Sequence, residues 1–199
     1  MCLIVVGIIL VFLILVIAIA KANPSSSEFE SPEKQAGIQG EKTAVKMIRS
    51  ILSFEDYQFN NINISYNDKT TEIDNIIVNQ YGVFIIEVKN YTGKIIGTEK
   101  DYNWQKYKTT NAGNTYFTTI DNPVKQVNRQ IYILSHYLKE HGINVWKEGY
   151  ILFLQNNSPI KNKMILHNKD EINNAVHTYS KKKLNSKTIE SIIVTLSQK

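Results

Sequence analysis

The segment Glu72-Ile73-Asp74-Asn75-Ile76-Ile77-Val78, followed after Asn79-Gln80-Tyr81-Gly82 by Val83-Phe84-Ile85-Ile86-Glu87-Val88-Lys89, reads as two strands joined by a tight turn at Tyr81-Gly82. Strand side chains alternate, so Glu87 and Lys89 project to one face and Phe84, Ile86 and Val88 to the other. Asp74 shares a face with Ile76 and Val78. Charged groups at the ends of two apolar strands are costly if buried without partners, and a shared cation would account for all three. Hydrolysis of a phosphodiester needs charge neutralisation on the phosphate and an activated water. A hard divalent cation held by two or three carboxylate oxygens supplies both. Asp74 and Glu87 are the candidate ligands, and the Lys89 ammonium could orient the water or steady the developing charge. A solvated strand end explains each of these charges equally well when taken alone.

Outward from this hairpin, Gly40 to Ser53 carries Val45, Ile48 and Leu52 at helical spacing. Glu41 lies one turn before Val45 on the same stripe, so its carboxylate is aimed toward the core side, although a first-turn acid favoured by the helix dipole is the plainer account. A second helix is expected over Pro123–Glu140, with Asn122 as cap, Pro123 in the first turn, an apolar stripe through Val124, Val127, Ile131, Leu134 and Leu138, and Gly142 as terminator. Buried strands at Gly149–Gln155 and Lys163–His167 and a helix at Lys187–Leu196 complete the expected order.

Four of these elements resemble the NERD (nuclease-related domain) family: Gly40-Glu41 opening a helix, Glu72-Ile73-Asp74-Asn75, Ile85-Ile86-Glu87-Val88-Lys89-Asn90, and Asn122-Pro123 followed by Gln126. The family in turn resembles the PD-(D/E)XK nucleases, in which an acid precedes an acid-x-lysine strand. The resemblance spans roughly Gln35 to His141. It implies an α/β fold, with a restriction-endonuclease-like mixed central sheet flanked by helices. It also implies roles: Glu41 assisting the metal or the water, Asp74 and Glu87 holding Mg²⁺ or Mn²⁺, Lys89 as the catalytic lysine, and Gln126 ordering the site or touching substrate.

The 199 residues divide unevenly. Met1 to Ala20 carry no formal charge, and Leu3 to Ala20 are eighteen consecutive residues without a polar side chain, about the minimum for crossing a hydrocarbon core. One transmembrane helix over residues 1–21 is therefore expected. A cleaved signal peptide is the alternative, opposed by the missing basic residue ahead of the run and by its length. Lys21, Lys34, Lys42 and Lys46 follow the span, which favours a cytoplasmic body on a single-pass cell-membrane anchor. Residues 22–36, with three consecutive serines, two prolines and three glutamates, read as a flexible linker reaching about 20 Å, and residues 37–199 as one nuclease-related domain.

The only cysteine is Cys2, which excludes an internal disulfide or a cysteine zinc cluster. The four histidines show no zinc-site spacing, and no glycine-rich phosphate loop is evident. A net charge of +5, from 23 Lys plus Arg against 18 Asp plus Glu, suits DNA, RNA or an anionic membrane face alike. Tyr91, Tyr102, Trp104 and Tyr107 interleave with Lys94, Lys100, Lys106 and Lys108, and from this pattern Trp104, Lys106 and Lys108 are candidate nucleic-acid contacts; an exposed hairpin gives the same pattern. The expected function is a membrane-anchored, metal-dependent nuclease cutting DNA or RNA. The alternative is an inactive module of the same fold that binds nucleic acid or a protein partner, whose identity the sequence does not name.

Overall fold

The computed structural model describes residues 31–110, 112–155, 157, 159–178 and 183–199. The expected anchor at 1–21 and most of the expected linker lie outside these residues. Among the described residues no helix is long and apolar enough to cross a membrane. The chain divides after Gln35, and the larger unit, Ala36–Lys199, carries every strand among the described residues.

Helix α1 runs over Pro32–Arg49. It thus starts inside the stretch expected to be linker: Pro32 suits a first turn and Glu33 complements the helix dipole there. Strands β1 (Tyr57–Tyr66), β2 (Lys69–Asn79) and β3 (Gly82–Lys89) follow as a meander. Asn67 and Asp68, at φ 45° and 60°, form the two-residue left-handed turn that matches strand twist. Three short strands come next, β4 (Lys94–Ile96), β5 (Asn103–Thr109) and β6 (Thr115–Asp121). Helix α2 (Pro123–Glu140), strands β7 (Lys147–Phe153) and β8 (Ile165–Leu166), and helices α3 (Lys169–His177) and α4 (Ser186–Leu196) complete the order.

The central sheet has the order β1-β2-β3-β7-β8. β1, β2 and β3 pair antiparallel, whereas β3 with β7 and β7 with β8 are parallel, so the sheet is mixed as expected. β3 lies at its centre and is buried on both faces through Val88, which explains its nearly unbroken apolar run. One face packs Ile76, Val78, Val83 and Ile85 against Ile133, Leu134 and Leu138 of α2 and Ile192 and Leu196 of α4. The other packs Ile77, Phe84, Ile86 and Val88 against Ala44 and Ile48 of α1 and Ile172 and Val176 of α3. The small β4-β5-β6 sheet is anchored by Ile95 and Trp104, which pack with Val124, Val127, Ile151 and Phe153.

Candidate active site

Glu87 is the centre of the site. It lies on the α2 side of β3, and only 3% of it is exposed. Three donors hold its carboxylate: Lys89 Nζ and Gln126 Nε2, each 2.6 Å from Oε1, and Gln130 Nε2, 2.7 Å from Oε2. They fill three of the roughly four acceptor positions that a carboxylate offers. Gln130 also donates to the Glu72 carbonyl at 3.0 Å, tying α2 to β2 as well as to β3.

Asp74 faces Glu87 across the strand pair. The β2–β3 ladder ends at Asn75 opposite Ile86, which makes Asp74 and Glu87 the next pair along. At this point the hairpin changes phase: Ile73 and Ile76, three residues apart, enter the same apolar cluster, as do Phe59 and Ile62 on β1. Asn61, at φ 52° and opposite Asp74, takes up the turn in the backbone. The Asp74 carboxylate replaces the interrupted ladder by accepting the Val88 N–H at 2.7 Å.

Charge is crowded here. Burial and the neighbouring Glu87 charge, with a further contribution from Glu41, push the Asp74 pKa up to about 7 against the opposing pull of the Val88 N–H and Lys89. Burial works against the Lys89 ammonium, but Glu87, then Tyr91 and Asp74, more than offset it, so its pKa stands above the ordinary lysine value. Tyr91 is held above the usual phenol range by burial, with Glu87 and Asp121 adding to it.

Glu41 approaches from α1, which covers the opposite face of the sheet. Its buried stripe is Gly40, Ala44 and Ile48, one position off the expected Glu41–Val45 line, so Glu41 sits at the edge of the stripe rather than on it. Gly40 explains how the helix comes so close: a Cβ there would lie 2.7 Å from the Asn90 Cβ. Asn90 in turn donates to the Ala36 carbonyl at 2.9 Å, which ties α1 at Ala36 to the end of β3. Glu41 Oε2 is 3.5 Å from Asn61 Nδ2.

Asn122 and Gln126 work from the start of α2. Asn122 Oδ1 caps the helix at Val124 N (2.9 Å), and its Nδ2 donates to the carbonyls of Asp101, Thr98 and Glu99 at 2.7, 3.1 and 3.3 Å. One side chain thus sets the helix that carries Gln126 and pins the turn between β4 and β5.

The structure gathers Asp74, Glu87, Lys89 and Gln126 at one end of the central strands; Glu41, expected to assist the metal with them, reaches toward Asn61 from α1 and forms no three-carboxylate group with Asp74 and Glu87. Gln130 escaped the sequence reading. Its signal was a fully buried amide one turn beyond Gln126, on the otherwise apolar stripe of α2. Trp104 is a correction: it is 1% exposed, stacked on Phe153 and donating to the Thr98 carbonyl, so its ring is not available to a base. The alternation of aromatic and basic residues had combined two environments on one face of β5. That face is buried at Trp104 and emerges at Lys106, whose ammonium lies 5.7 Å from the Tyr91 ring. Lys108, two residues on, is half-buried.

The donor set bears on a cation as follows. Among the described residues no group of three or more His, Cys, Asp and Glu side chains is placed to hold a metal ion. Two carboxylates, Asp74 and Glu87, are what a Mg²⁺-type ion commonly takes from a protein, with water and phosphate oxygen completing the shell. Gln130 Oε1 is buried with no hydrogen-bond partner among the described residues.

A mixed sheet between helices, with an acid opposite a Glu-x-Lys strand backed by Gln126 and Gln130 of α2, defines the class as nuclease-related. Residues 36–154 match the family of the nuclease-related domain, and the chain belongs to it. An uncharacterized protein of Bacillus anthracis is 35% identical over 98 residues, which cover 48% of this chain and 45% of that relative; the match thus spans less than half of either protein. No solved structure matches.

Proposed function

We propose that the chain is a phosphodiester hydrolase acting on DNA or RNA with a Mg²⁺- or Mn²⁺-type ion at Asp74 and Glu87. The observation that carries this reading is the Glu87 carboxylate, oriented by Lys89, Gln126 and Gln130 across from an Asp74 whose proton affinity is raised by burial and then by that same carboxylate. Two mutually repelling acids with one lysine are destabilised alone and relieved by a cation. When bound, the ion would neutralise a phosphate oxygen and acidify a water.

The remaining chemistry belongs to the side chains. Gln126 and Gln130 hold the Glu87 oxygens in one orientation, so no reorganisation is needed as charge develops. Lys89, kept charged by its neighbours, offers an ammonium to the attacking water or to the phosphate. Asp74, with a pKa of about 7, can give or take a proton near neutral pH. Glu41 adds negative charge on the α1 side. In this reading Lys106 and Lys108, both partly exposed on β5, supply positive charge to the phosphate backbone. Anchoring through residues 1–21, with the domain in the cytoplasm, is part of the same proposal and rests on the charge and hydropathy of that segment.

The test is incubation of the full chain with single- and double-stranded DNA and RNA in Mg²⁺, in Mn²⁺ and in EDTA. Metal-dependent cutting, lost in Glu87→Gln and Lys89→Ala variants whose circular dichroism is unchanged, is the expected result. Binding without cutting under every condition would replace this reading with that of a nuclease-fold binding module.

A further inference from the structure

The turn between β4 and β5 displays Tyr102 at 81% exposure. An aromatic ring so exposed is ordinarily mobile, yet this turn is pinned: Asn122 grips three of its carbonyls, and Asp101 Oδ2 accepts the Thr98 N–H at 2.7 Å. Beside it lies a cleft of about 320 Å³ lined by Tyr102, Asp121, Asn122, Lys125, Gln126 and Arg129. Gln126 is the common wall, since its amide reaches Glu87 Oε1 at 2.6 Å. Lys125 and Arg129 stand one turn apart on α2, side by side on one face. The Lys125 ammonium is 5.0 Å from the Tyr102 ring centroid, and the Arg129 guanidinium is steadied by the Thr70 carbonyl at 2.9 Å. Against the single Asp121 carboxylate, the two cations leave a net positive charge.

We infer that this cleft is a subsite for the unpaired nucleotide next to the bond that is cut, with Tyr102 stacking on its base and Lys125 and Arg129 contacting its phosphates. The inference rests on the nuclease reading for its adjacency to Glu87, but the binding it describes does not need cleavage to occur. Every base has a π-face, so stacking on Tyr102 is tolerant of sequence. In a duplex both faces of a base are already covered by its neighbours, so the ring selects a single strand or a strand end. The pinned turn strengthens the case, because little conformational freedom remains to be lost on binding. The exposed ring also explains why the aromatic and basic interleaving around residues 91–108 looked like a binding surface: Tyr102, not Trp104, is its accessible aromatic.

Fluorescence anisotropy of the full chain in EDTA, with labelled single-stranded DNA and RNA oligonucleotides and the matching duplexes, tests this. Tyr102→Ala is expected to weaken single-strand binding about tenfold and Tyr102→Phe to restore it, with duplex binding unchanged. Lys125→Gln and Arg129→Gln should each reduce the salt slope of single-strand affinity by about 0.7. Equal affinities for wild type and Tyr102→Ala, with the alanine variant melting normally, would overturn the inference even if the wild type cuts in Mg²⁺. Conversely, Tyr102-dependent binding by a wild type that cuts nothing would uphold the subsite and sink the nuclease reading.

Discussion

Replacing Asp74 by asparagine separates the electrostatics of the site from its shape. The amide is nearly the same size, and its oxygen can still accept the Val88 N–H that Asp74 takes at 2.7 Å, but it carries no charge to oppose Glu87. The Asp74 pKa rises from 3.8 to about 7 on folding, roughly three units at about 1.4 kcal/mol each, so ionised Asp74 destabilises the folded chain by at most about 4 kcal/mol. The folded state holds this proton more tightly than the unfolded one, so the stabilisation is complete below pH 4 and is lost as pH rises to about 7. Asp74→Asn should therefore melt with the wild type at pH 4 and above it at pH 8.5. At about 2–4 °C per kcal/mol for a chain of this size, the gain is at most about 8–16 °C, read by differential scanning fluorimetry across the pH range. Added Mg²⁺ should raise the wild-type melting temperature more than that of the variant, while the variant loses cutting. A variant no more stable than the wild type at pH 8.5, or a difference independent of pH, would show that the acids do not crowd one another and would remove the electrostatic argument for a cation.

Gln130→Leu keeps the volume but takes the donor from Glu87 Oε2; loss of a charge-assisted bond of about 1.5–3 kcal/mol should lower the cleavage rate at least tenfold, with a melting curve that stays cooperative. Gly40→Ala forces α1 off Asn90 and should cost about 1–3 kcal/mol, measured as a lower denaturant midpoint, together with reduced cleavage as Glu41 shifts. Asp56 is raised by burial but lowered further by Ser53 and His177, so its folded pKa falls below the usual aspartate value. Its stabilisation is present above that ordinary value and is lost as pH falls through the depressed one; Asp56→Asn should therefore flatten the loss of stability between pH 5 and pH 2 in urea titrations.

Much of the architecture was legible because it lies in local patterns. The β2–β3 hairpin is written in alternation and an apolar run, and α2 in a cap, a first-turn proline and a stripe, so those elements lie where expected within a few residues. Asp74, Glu87 and Lys89 were found because two neighbouring strands supply all three. Gln130, Asn61 and the Asn90 tether to α1 were not, since their importance arises only when α2, β1 and α1 close around the end of β3. The β4-β5-β6 sheet showed in the sequence only as an exposed hairpin: its strands are short and mostly exposed, and it is buried chiefly through Ile95 and Trp104, with Ile120 partly covered. Trp104 was assigned to the surface for the same reason, because spacing along a strand reports its face but not how far the cover extends.

Asn122 has an unusually narrow chemical window. Aspartate, serine or threonine could close the end of α2 equally well, but none offers the NH₂ that binds the three carbonyls at 98, 99 and 101, and aspartate would set its charge against them. Glutamine has the amide but is one methylene too long to turn back on Val124. Substitutions at this position should therefore fail by different routes while sharing one symptom: the base-facing turn and the helix behind the acids lose their common reference, and substrate placement degrades before the fold does.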